Sequence, residues 1–307
     1  MSSTRSMCGF RSRNLGVDGV GEVYARAMGD LAIDARVTEV GPSTFERLLV
    51  RDWEIWGPNG GYMAAIALDA ARRESQRARP ANATVHFLGV ASFDAPVTVV
   101  ATTQRATRQA TSVGIRIEQQ GKAILSAMVW ALDDGLDGLE HDDSTMPDVP
   151  VWHELPTMAE RIAADPGATP NRYRFWDNFE QRPTEWLGSA DWSTRQLGPA
   201  LYRNWMRFAN GAVGTDAWAQ AARLLLLVDL GAWPSIGRRH VTDEWMAPSI
   251  DVSCEFHRLG TGDEWFLLQG ESPFAGEGLV ASHQHVWNQS GELLASGISH
   301  LLCRRVA

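Results

Sequence analysis

A strongly apolar segment spans Tyr62–Ala71, where a single residue is charged and six of the ten positions are Ala or Leu. This composition predicts a helix that is buried on nearly every side, and so short a segment cannot cross a bilayer. Asn59 is a suitable N-cap, and Gly60 and Gly61 follow it without side chains. The sequence therefore predicts a buried helix that begins at this Asn-Gly-Gly segment and organises the first half of the chain.

The first turn of this helix has backbone N–H groups that find no carbonyl acceptor within the helix. Those of Gly60, Gly61 and Tyr62 lie at the positive end of the helix dipole, where a carbonyl group or an anion would be stabilised. A plainer interpretation makes residues 58–61 a turn that leads into a core helix, and this segment by itself favours that interpretation. The candidate substrate-binding residues are Asn59, Gly60, Gly61 and Tyr62.

Short β-branched segments, separated by turn-like or polar residues, predict strands in both halves of the chain. In the first half the predicted strands are residues 45–50, 84–88, 97–103, 112–118 and 123–131. In the second half, predicted strands at 173–180 and around 205–208 precede an Ala/Leu-rich helix at 216–230, and four strands follow at 251–257, 264–270, 280–288 and 293–303. Each half therefore has one long helix followed by four strands, which predicts an antiparallel sheet with the helix laid on it, an α+β architecture.

The two halves superimpose at a nearly constant offset. The anchor pairs are Phe87 with Phe256, Gly121 with Gly291, and Ser126 with Ser296. Self-similarity of this kind indicates two copies of one fold, packed about a pseudo-twofold axis. Chance similarity between two α+β domains is the alternative, and the shared order of elements argues against it.

The chain has 307 residues and a net charge of -9, with 44% hydrophobic and 21% charged residues. This is the profile of a soluble globular protein, and the negative charge argues against a general nucleic-acid or anionic-membrane surface. Three cysteines without CxxC spacing argue against a disulfide framework or a zinc site. The N-terminal 21 residues lack the apolar region of a signal peptide, and we expect a cytoplasmic protein.

We expect four segments along the chain: an N-terminal tail and lead-in at residues 1–35, a first domain at 36–133, an acidic linker at 134–165 and a second domain at 166–307. The linker is predicted because six acidic residues, together with Gly, fall between positions 133 and 143 and prolines follow. We expect this segment to be solvated rather than to bind calcium, because its spacing matches no EF-hand loop.

Several segments resemble the acyl-CoA thioesterase II family, whose chains hold two hotdog domains. The resemblance is carried by residues 249–258 (Ser-Ile-Asp-Val-Ser-Cys-Glu-Phe-His-Arg), 263–268, 271–279 and 291–296, and in the first half by Gly60-Gly61 and residues 85–88. It covers roughly residues 40–133 and 200–305. It implies a double hotdog, in which each of two antiparallel sheets wraps round a long central helix. It also implies hydrolysis of acyl-CoA to a free acid and CoA without a cofactor, and we expect a homo-oligomer of double-hotdog chains.

The family's catalytic set is an Asp, a Ser or Thr, and a Gln that together hold a water molecule. By resemblance, Asp251 and Ser272 stand at the first two positions, and Ser299 occupies the third, where the family has Gln. A serine reaches less far than an amide, so this departure bears directly on the water site. In the implied mechanism Asp251 activates the water, and the helix start at Gly60 and Gly61 in the other copy polarises the thioester carbonyl.

Each of these assignments has a plainer alternative. Asp251 could be a surface carboxylate on a strand, and Ser272, which precedes a proline, could be a turn residue. Because Ser299 stands where the family has Gln, one alternative function is that of a non-catalytic acyl-CoA-binding protein. An enoyl-CoA hydratase would want a paired Asp and His, for which Asp251 and His257 are the nearest residues. No metal-binding constellation and no G-x-S-x-G nucleophile elbow occurs in the sequence.

Overall fold

A computed structural model describes residues 28–168, 173–189, 197–210, 214–240 and 244–306. The α-helices are α1 (Leu31–Asp34), α2 (Gly60–Ser75), α3 (Met158–Ala164), α4 (Ala217–Leu230) and α5 (Ala232–Arg239). The strands are β1 (Thr38–Gly41), β2 (Thr44–Arg47), β3 (Arg79–Phe87), β4 (Val97–Ala106), β5 (Ala110–Gln119), β6 (Lys122–Leu132), β7 (Phe179–Pro183), β8 (Leu201–Phe208), β9 (Trp245–Met246), β10 (Ser249–Phe256), β11 (Trp265–Gly276), β12 (Leu279–Asn288), β13 (Leu293–Leu302) and β14 (Arg304–Arg305). Most of the predicted tail at 1–35 lies outside these residues.

Twelve of the strands form one antiparallel sheet in the order β1-β2-β4-β5-β6-β3-β10-β13-β12-β11-β8-β7. Each half of the chain supplies six neighbouring strands, and the halves join where β3 pairs with β10. At this joint Thr84 lies opposite Ser253, 169 residues away, and the two hydroxyl oxygens are 3.1 Å apart. The same offset relates Phe87 to Phe256, so the pseudo-twofold axis passes through the Thr84–Ser253 pair. The predicted double hotdog is thus confirmed, with its two sheets continuous along one edge.

Helices α2 and α4 lie side by side on one face of this sheet and run antiparallel. At one end of the pair, Arg72 of α2 forms a 3.1 Å salt bridge with Asp216, the N-cap of α4. At the other end, the start of α2 packs so tightly on α4 that a Cβ atom on Gly61 would lie 2.7 Å from Cα of Leu226. The antiparallel arrangement therefore brings the first turn of α2 against the last turn of α4.

Two elements differ from the sequence-based expectation. The strand predicted at 173–180 is a 3₁₀ helix over Arg174–Asn178 that leads into β7. The Asn178 amide folds this turn, since it donates to the carbonyl oxygen of Phe175 at 3.1 Å and to that of Asp52 at 2.7 Å. Helix α5 was not predicted, because Pro234 interrupts the pattern; proline is tolerated there because it lies in the first helical turn.

The acidic segment is not solvated along its whole length. Its C-terminal part crosses the outer face of the second half, where the Trp152 ring stacks on Trp265 with centroids 4.6 Å apart. The indole N–H of Trp205 donates to the Pro150 carbonyl oxygen at 3.0 Å, and Asp142 forms a 2.8 Å salt bridge with Arg258. Aromatic residues thus hold this segment as a strap on the sheet, which its acidic charge pattern does not predict.

Replacing Trp152 with alanine should lower the free energy of unfolding by about 2 kcal/mol, because the change removes apolar contact area and one aromatic stack. The neighbouring Val151→Ala change, at an exposed position, should stay within about 0.5 kcal/mol. Urea denaturation of both variants provides the measurement. Equal midpoints for the two variants would mean that the strap contributes nothing to stability.

Candidate active site

The junction of the two helices holds a carboxylate, Asp229, in the last turn of α4. The residue is partly exposed, but its Oδ1 is buried and has no hydrogen-bond partner within the described part of the chain. Burial raises the pKa of Asp229 to about 6, although hydrogen bonds from the Ser249 hydroxyl and the Gly61 N–H favour the charged form. A group that ionises in this range can take up a proton near neutral pH.

Both glycines at the start of α2 are required by close packing. A Cβ atom on Gly60 would lie 2.9 Å from Oδ2 of Asp229 and 2.9 Å from Cζ of Phe87. The corresponding atom on Gly61 would press on the backbone of Leu226. The helix start therefore meets an anion, as its dipole favours, and this anion is a side chain of the protein itself.

The three backbone N–H groups in the first turn of α2 have different surroundings. The Tyr62 N–H donates to Oδ1 of its N-cap, Asn59, at 3.0 Å, as the sequence predicts for the cap. The Gly61 N–H lies beside Asp229 and favours its ionised form. The N–H of Gly60, the first helical residue, has a neighbouring carboxylate in Asp229 and lies in a partly exposed residue.

Tyr62 itself does not point to this junction. Its hydroxyl donates to the Asp34 carbonyl oxygen at 3.0 Å and accepts from the Val50 N–H at 3.2 Å, and its ring stacks on Trp53. Burial raises the pKa of this hydroxyl. Of Tyr62, only the backbone N–H lies at the helix start, and it already donates to the Asn59 side chain.

The register of β10 brings Ser249 to the helix side of the sheet. The pairing with β13 slips by one residue between Ser249 and Asp251, so that Ser249 lies opposite Leu301 and Asp251 lies opposite His300. Because alternate residues of a strand face opposite ways, Ser249 shares the inner face with buried Leu301, whereas Asp251 lies on the outer face. One irregularity thus separates two residues that a regular strand would place together.

Asp251 is consequently not brought to the start of α2. Its Oδ1 accepts from Nδ1 of His300 at 2.8 Å and from the His300 N–H at 3.2 Å, and the exposed His86 is its partner on β3. The partner histidine is His300, not the His257 that we considered from the sequence. The expected face-to-face arrangement of a carboxylate and the α2 start does exist, and Asp229 supplies the carboxylate.

The Ser272 side chain also has a partner within the protein. Its hydroxyl is 2.7 Å from that of Ser235 in α5, and its N–H donates to the Ala200 carbonyl oxygen at 2.9 Å. The first of these contacts joins α5 to β11, and the second joins β11 to the residue before β8. Ser272 thus contacts Ser235 of α5, and the serine that lies beside the Asp229 carboxylate is Ser249.

Ser299 does lie on the inner face. It is fully buried on β13, opposite Val252 on one side and Ser282 on the other. Its Oγ has no hydrogen-bond partner among the described residues. Of the three predicted catalytic residues, the structure therefore places Ser299 in the sheet under the helices, while Asp251 and Ser272 have other partners.

Sequence reasoning missed Asp229 although a signal was present. The segment Leu224–Leu230 is apolar except for this one carboxylate. Burying a charge costs free energy unless it is paired, so a lone aspartate in a leucine-rich helix indicates a function or a partner. The similarity of residues 249–258 to a family segment drew the assignment to Asp251 instead.

The described residues set two further limits. No cluster of three or more His, Cys, Asp or Glu side chains able to hold a metal ion occurs among them. Of the helices in these ranges, none combines the length and the apolar character that crossing a membrane would require. Cys254 and Cys303 are free thiols, and Cys8 lies outside the described residues.

The fold and the junction define a double-hotdog protein with a carboxylate of one half set against a helix start of the other. Two family models match the sequence: the acyl-CoA thioesterase N-terminal domain over residues 49–132 and the acyl-CoA thioesterase C-terminal domain over residues 153–301. The chain belongs to the acyl-CoA thioesterase family. A comparison with curated protein sequences gives no match.

Solved structures share the fold over nearly the whole chain. Acyl-CoA thioesterase II TesB2 from Mycobacterium marinum is 20% identical, with a TM-score of 0.72 over 91% of this chain and 99% of that one. The tesB protein of Mycobacterium avium subsp. paratuberculosis is 19% identical, with a TM-score of 0.71 over 91% and 100%. A hot dog fold protein from Alicyclobacillus acidocaldarius is 20% identical, with a TM-score of 0.74 over 92% and 100%. At such low identity these likenesses concern the fold.

Proposed function

We propose that this chain hydrolyses acyl-CoA thioesters to a free acid and CoA, with Asp229 as the general base. The observation that carries the proposal is the contact between this carboxylate, from the C-terminal half, and the start of α2, from the N-terminal half. Membership of the acyl-CoA thioesterase family supports acyl-CoA as the substrate class. A carboxyl group with a pKa of about 6 is mostly ionised at neutral pH and still basic enough to accept a proton.

In the proposed reaction a water oxygen attacks the thioester carbonyl carbon while Asp229 takes one proton from the water. The carbonyl π electrons move to the carbonyl oxygen, and the Gly60 N–H at the positive end of α2 stabilises the charge that develops there. A preorganised donor of this kind lowers the barrier by about 3 kcal/mol. Collapse of the tetrahedral intermediate re-forms the C=O bond and breaks the C–S bond, and the departing thiolate takes the proton from Asp229.

Two serines support this chemistry in the proposal. The Ser249 hydroxyl lies beside Asp229 and favours the ionised carboxylate, so it helps to hold the base in its charged form. Ser299, with an unpaired buried Oγ, offers a hydrogen bond to the attacking water. Asp251 and Ser272 have no part in this mechanism, since their side chains already bind His300 and Ser235.

The test is release of free thiol from a panel of acyl-CoAs by the wild-type protein, run with short, medium and long acyl chains. Thiol release with equimolar free acid is the expected result. Tight binding of an acyl-CoA without release would support the non-catalytic binding protein instead. Loss of the conjugated-enone absorbance of an enoyl-CoA without thiol release would support a hydratase. Assembly into a homo-oligomer, a cytoplasmic location and a role in fatty acyl-CoA metabolism stay predictions.

The pH dependence of kcat/KM should show a rising limb with a midpoint near pH 6, because only ionised Asp229 can accept the proton and burial raises its pKa to about 6. Below the midpoint the rate should fall about tenfold per pH unit. Initial rates of thiol release in buffers of constant ionic strength give the profile. A flat profile between about pH 5 and pH 8, or a midpoint near the ordinary value of an aspartate, would contradict Asp229 as the base.

A further inference from the structure

A short β-ladder lies at the Asp229 end of the helix pair. Its two strands are β9 and β14, and Arg305 of β14 lies opposite Trp245 of β9. Strand β9 leads into β10 and β14 follows β13, so the ladder continues that strand pair beyond the register slip at Ser249. Because Ser249 lies beside Asp229, the ladder is attached to the proposed catalytic junction, yet no step of the mechanism uses it.

The ladder presents two guanidinium groups and an indole to solvent. Arg304 and Arg305 are exposed, and 37% of the Trp245 surface is accessible. The Arg305 guanidinium carbon lies 5.2 Å from the Trp245 ring centroid, a cation–π contact. Neither arginine forms a salt bridge with a described residue, not even with exposed Glu244 beside Trp245. Guanidinium groups bind phosphates through paired N–H donors, and a nucleobase stacks on an indole or a guanidinium plane.

The duplicated fold provides an internal comparison for these residues. At the Arg72 end of the helix pair, β3 and β6 of the first half pair in the same register as β10 and β13. That end is acidic, and Asp134 forms a 3.6 Å salt bridge with Arg79. By the offsets of the anchor pairs, the counterparts are Gln76 for Trp245, Asp134 for Arg304 and Gly135 for Arg305. The two copies therefore differ in charge at these positions, and the cationic copy is the one beside Asp229.

The separation between the ladder and the junction suits CoA. Trp245 precedes Ser249 by four residues, and an extended chain advances about 3.3–3.6 Å per residue, so the two lie at most about 14 Å apart. The pantetheine arm of CoA joins the sulfur to the diphosphate through as many chain atoms as four residues of backbone. A thioester held between Gly60 and Asp229 thus has an arm long enough to bring the diphosphate to the ladder.

We propose that the β9–β14 ladder binds the nucleotide end of CoA. Arg304 and Arg305 hold the diphosphate and the 3′-phosphate, and the adenine stacks on the Trp245–Arg305 pair. This inference rests on the proposed function and names the part of the substrate that the ladder recognises. On a chain with a net charge of -9, two unpaired arginines beside the junction attract an anionic substrate locally. The ladder thereby favours CoA thioesters over thioesters on carriers without phosphate.

The experiment measures thiol release from one acyl group presented as acyl-CoA and as acyl-pantetheine, which has neither phosphate nor nucleotide. In the double variant Arg304→Gln/Arg305→Gln we expect KM for acyl-CoA to rise by about 10- to 30-fold with kcat within about threefold, because charge-assisted hydrogen bonds far from the reacting atoms are lost. With acyl-pantetheine, kcat/KM should stay within about twofold of the wild type. The double variant Arg304→Lys/Arg305→Lys keeps the charge without the planar fork and should recover part of the lost affinity.

Arg105→Gln/Arg108→Gln is the matched control. It removes the same charge from two exposed arginines of the β4–β5 hairpin, which lies at the Arg72 end of the molecule, where Arg77 binds the Arg108 carbonyl oxygen. Its KM for acyl-CoA should stay within about twofold of the wild type, since the loss lies far from the junction. An unchanged KM in the ladder variant, an equal rise in the control, or an equal loss with acyl-pantetheine would overturn the inference.

Calorimetric titration with free CoA keeps the two proposals apart, because it requires no hydrolysis. The wild type should bind CoA at least about tenfold more tightly than the ladder variant with both arginines replaced by glutamine. That result in a protein that releases no thiol would mean that the proposed hydrolysis has failed while the ladder binds CoA. Equal CoA affinity in the two proteins would contradict the ladder site, whatever the activity.

Discussion

Replacing Asp229 with asparagine is expected to lower kcat for acyl-CoA hydrolysis by about 10³-fold, because the amide keeps the shape of the carboxylate but cannot accept the proton of the attacking water. The measurement is thiol release at saturating acyl-CoA. The matched control is Asp251→Asn, which changes the carboxylate on the outer face that binds His300 and should leave kcat within about threefold. The reverse result, activity retained in Asp229→Asn and lost in Asp251→Asn, would return the catalytic role to the outer face.

The same substitution should stabilise the fold near neutral pH. The folded state raises the pKa of Asp229 from 3.8 to about 6, so the native protein binds this proton more tightly than the unfolded chain. The stability of the wild type therefore falls as pH rises from about 4 to about 6 and stays lower above that range. At 1.36 kcal/mol per pKa unit the penalty is at most about 3 kcal/mol. Asp229→Asn should recover it at pH 8 and show no gain at pH 4 in chemical denaturation.

Gly61→Ala should lower the free energy of unfolding by roughly 2 kcal/mol, the second large effect. Its Cβ would lie 2.7 Å from the Cα of Leu226, and backbone atoms in the middle of a helix cannot move aside. Overpacking typically costs about 1–3 kcal/mol, which exceeds the gain of up to about 1 kcal/mol from replacing glycine by alanine inside a helix. Thermal and urea denaturation give the measurement.

The activity of Gly61→Ala should fall as well, because separating α2 from α4 moves the helix start away from Asp229, and a shift of about 1 Å can cost 10²-fold in rate. Gly138→Ala is the control, since a Cβ atom there would have no neighbour within 4 Å. It should change stability by less than about 0.5 kcal/mol. A Gly61→Ala protein as stable and as active as Gly138→Ala would contradict the tight helix contact.

Much of the fold could be predicted because its signals are local. The apolar composition of α2 and α4, their caps at Asn59 and Asp216, and the β-branched strands all follow from short segments. The offset between Phe87 and Phe256 indicated the repeat, and the Thr84–Ser253 pair shows that this offset is also the symmetry of the sheet. The strap over the second half was not predicted. Its acidic composition suggests a solvated linker, and the aromatic contacts that hold it are made with strands distant in sequence.

The sequence predicted the outline of the proposed site, but it assigned the carboxylate to Asp251 where we propose Asp229. A carboxylate of the second half facing the start of α2 was expected, and the expected residue, Asp251, borders a register slip. An irregular pairing between Ser249 and Asp251 depends on the partner strand β13, which the sequence of β10 alone does not reveal. Asp229, by contrast, carried a usable local signal, because it is the one charged residue of Leu224–Leu230.

The antiparallel pair of helices has two ends that the pseudo-twofold axis relates, and they have diverged. At one end the tip of α2 receives Asp229, and at the other Arg72 meets Asp216 in a partly exposed ion pair. In a dimer of identical single domains, both ends would have to carry the same chemistry, and every substitution would occur twice. In one polypeptide the two copies can differ, so the Arg72 end does not need to keep a carboxylate at the helix start. Each chain is thus expected to have a single turnover centre, and neither half, produced separately, should be active.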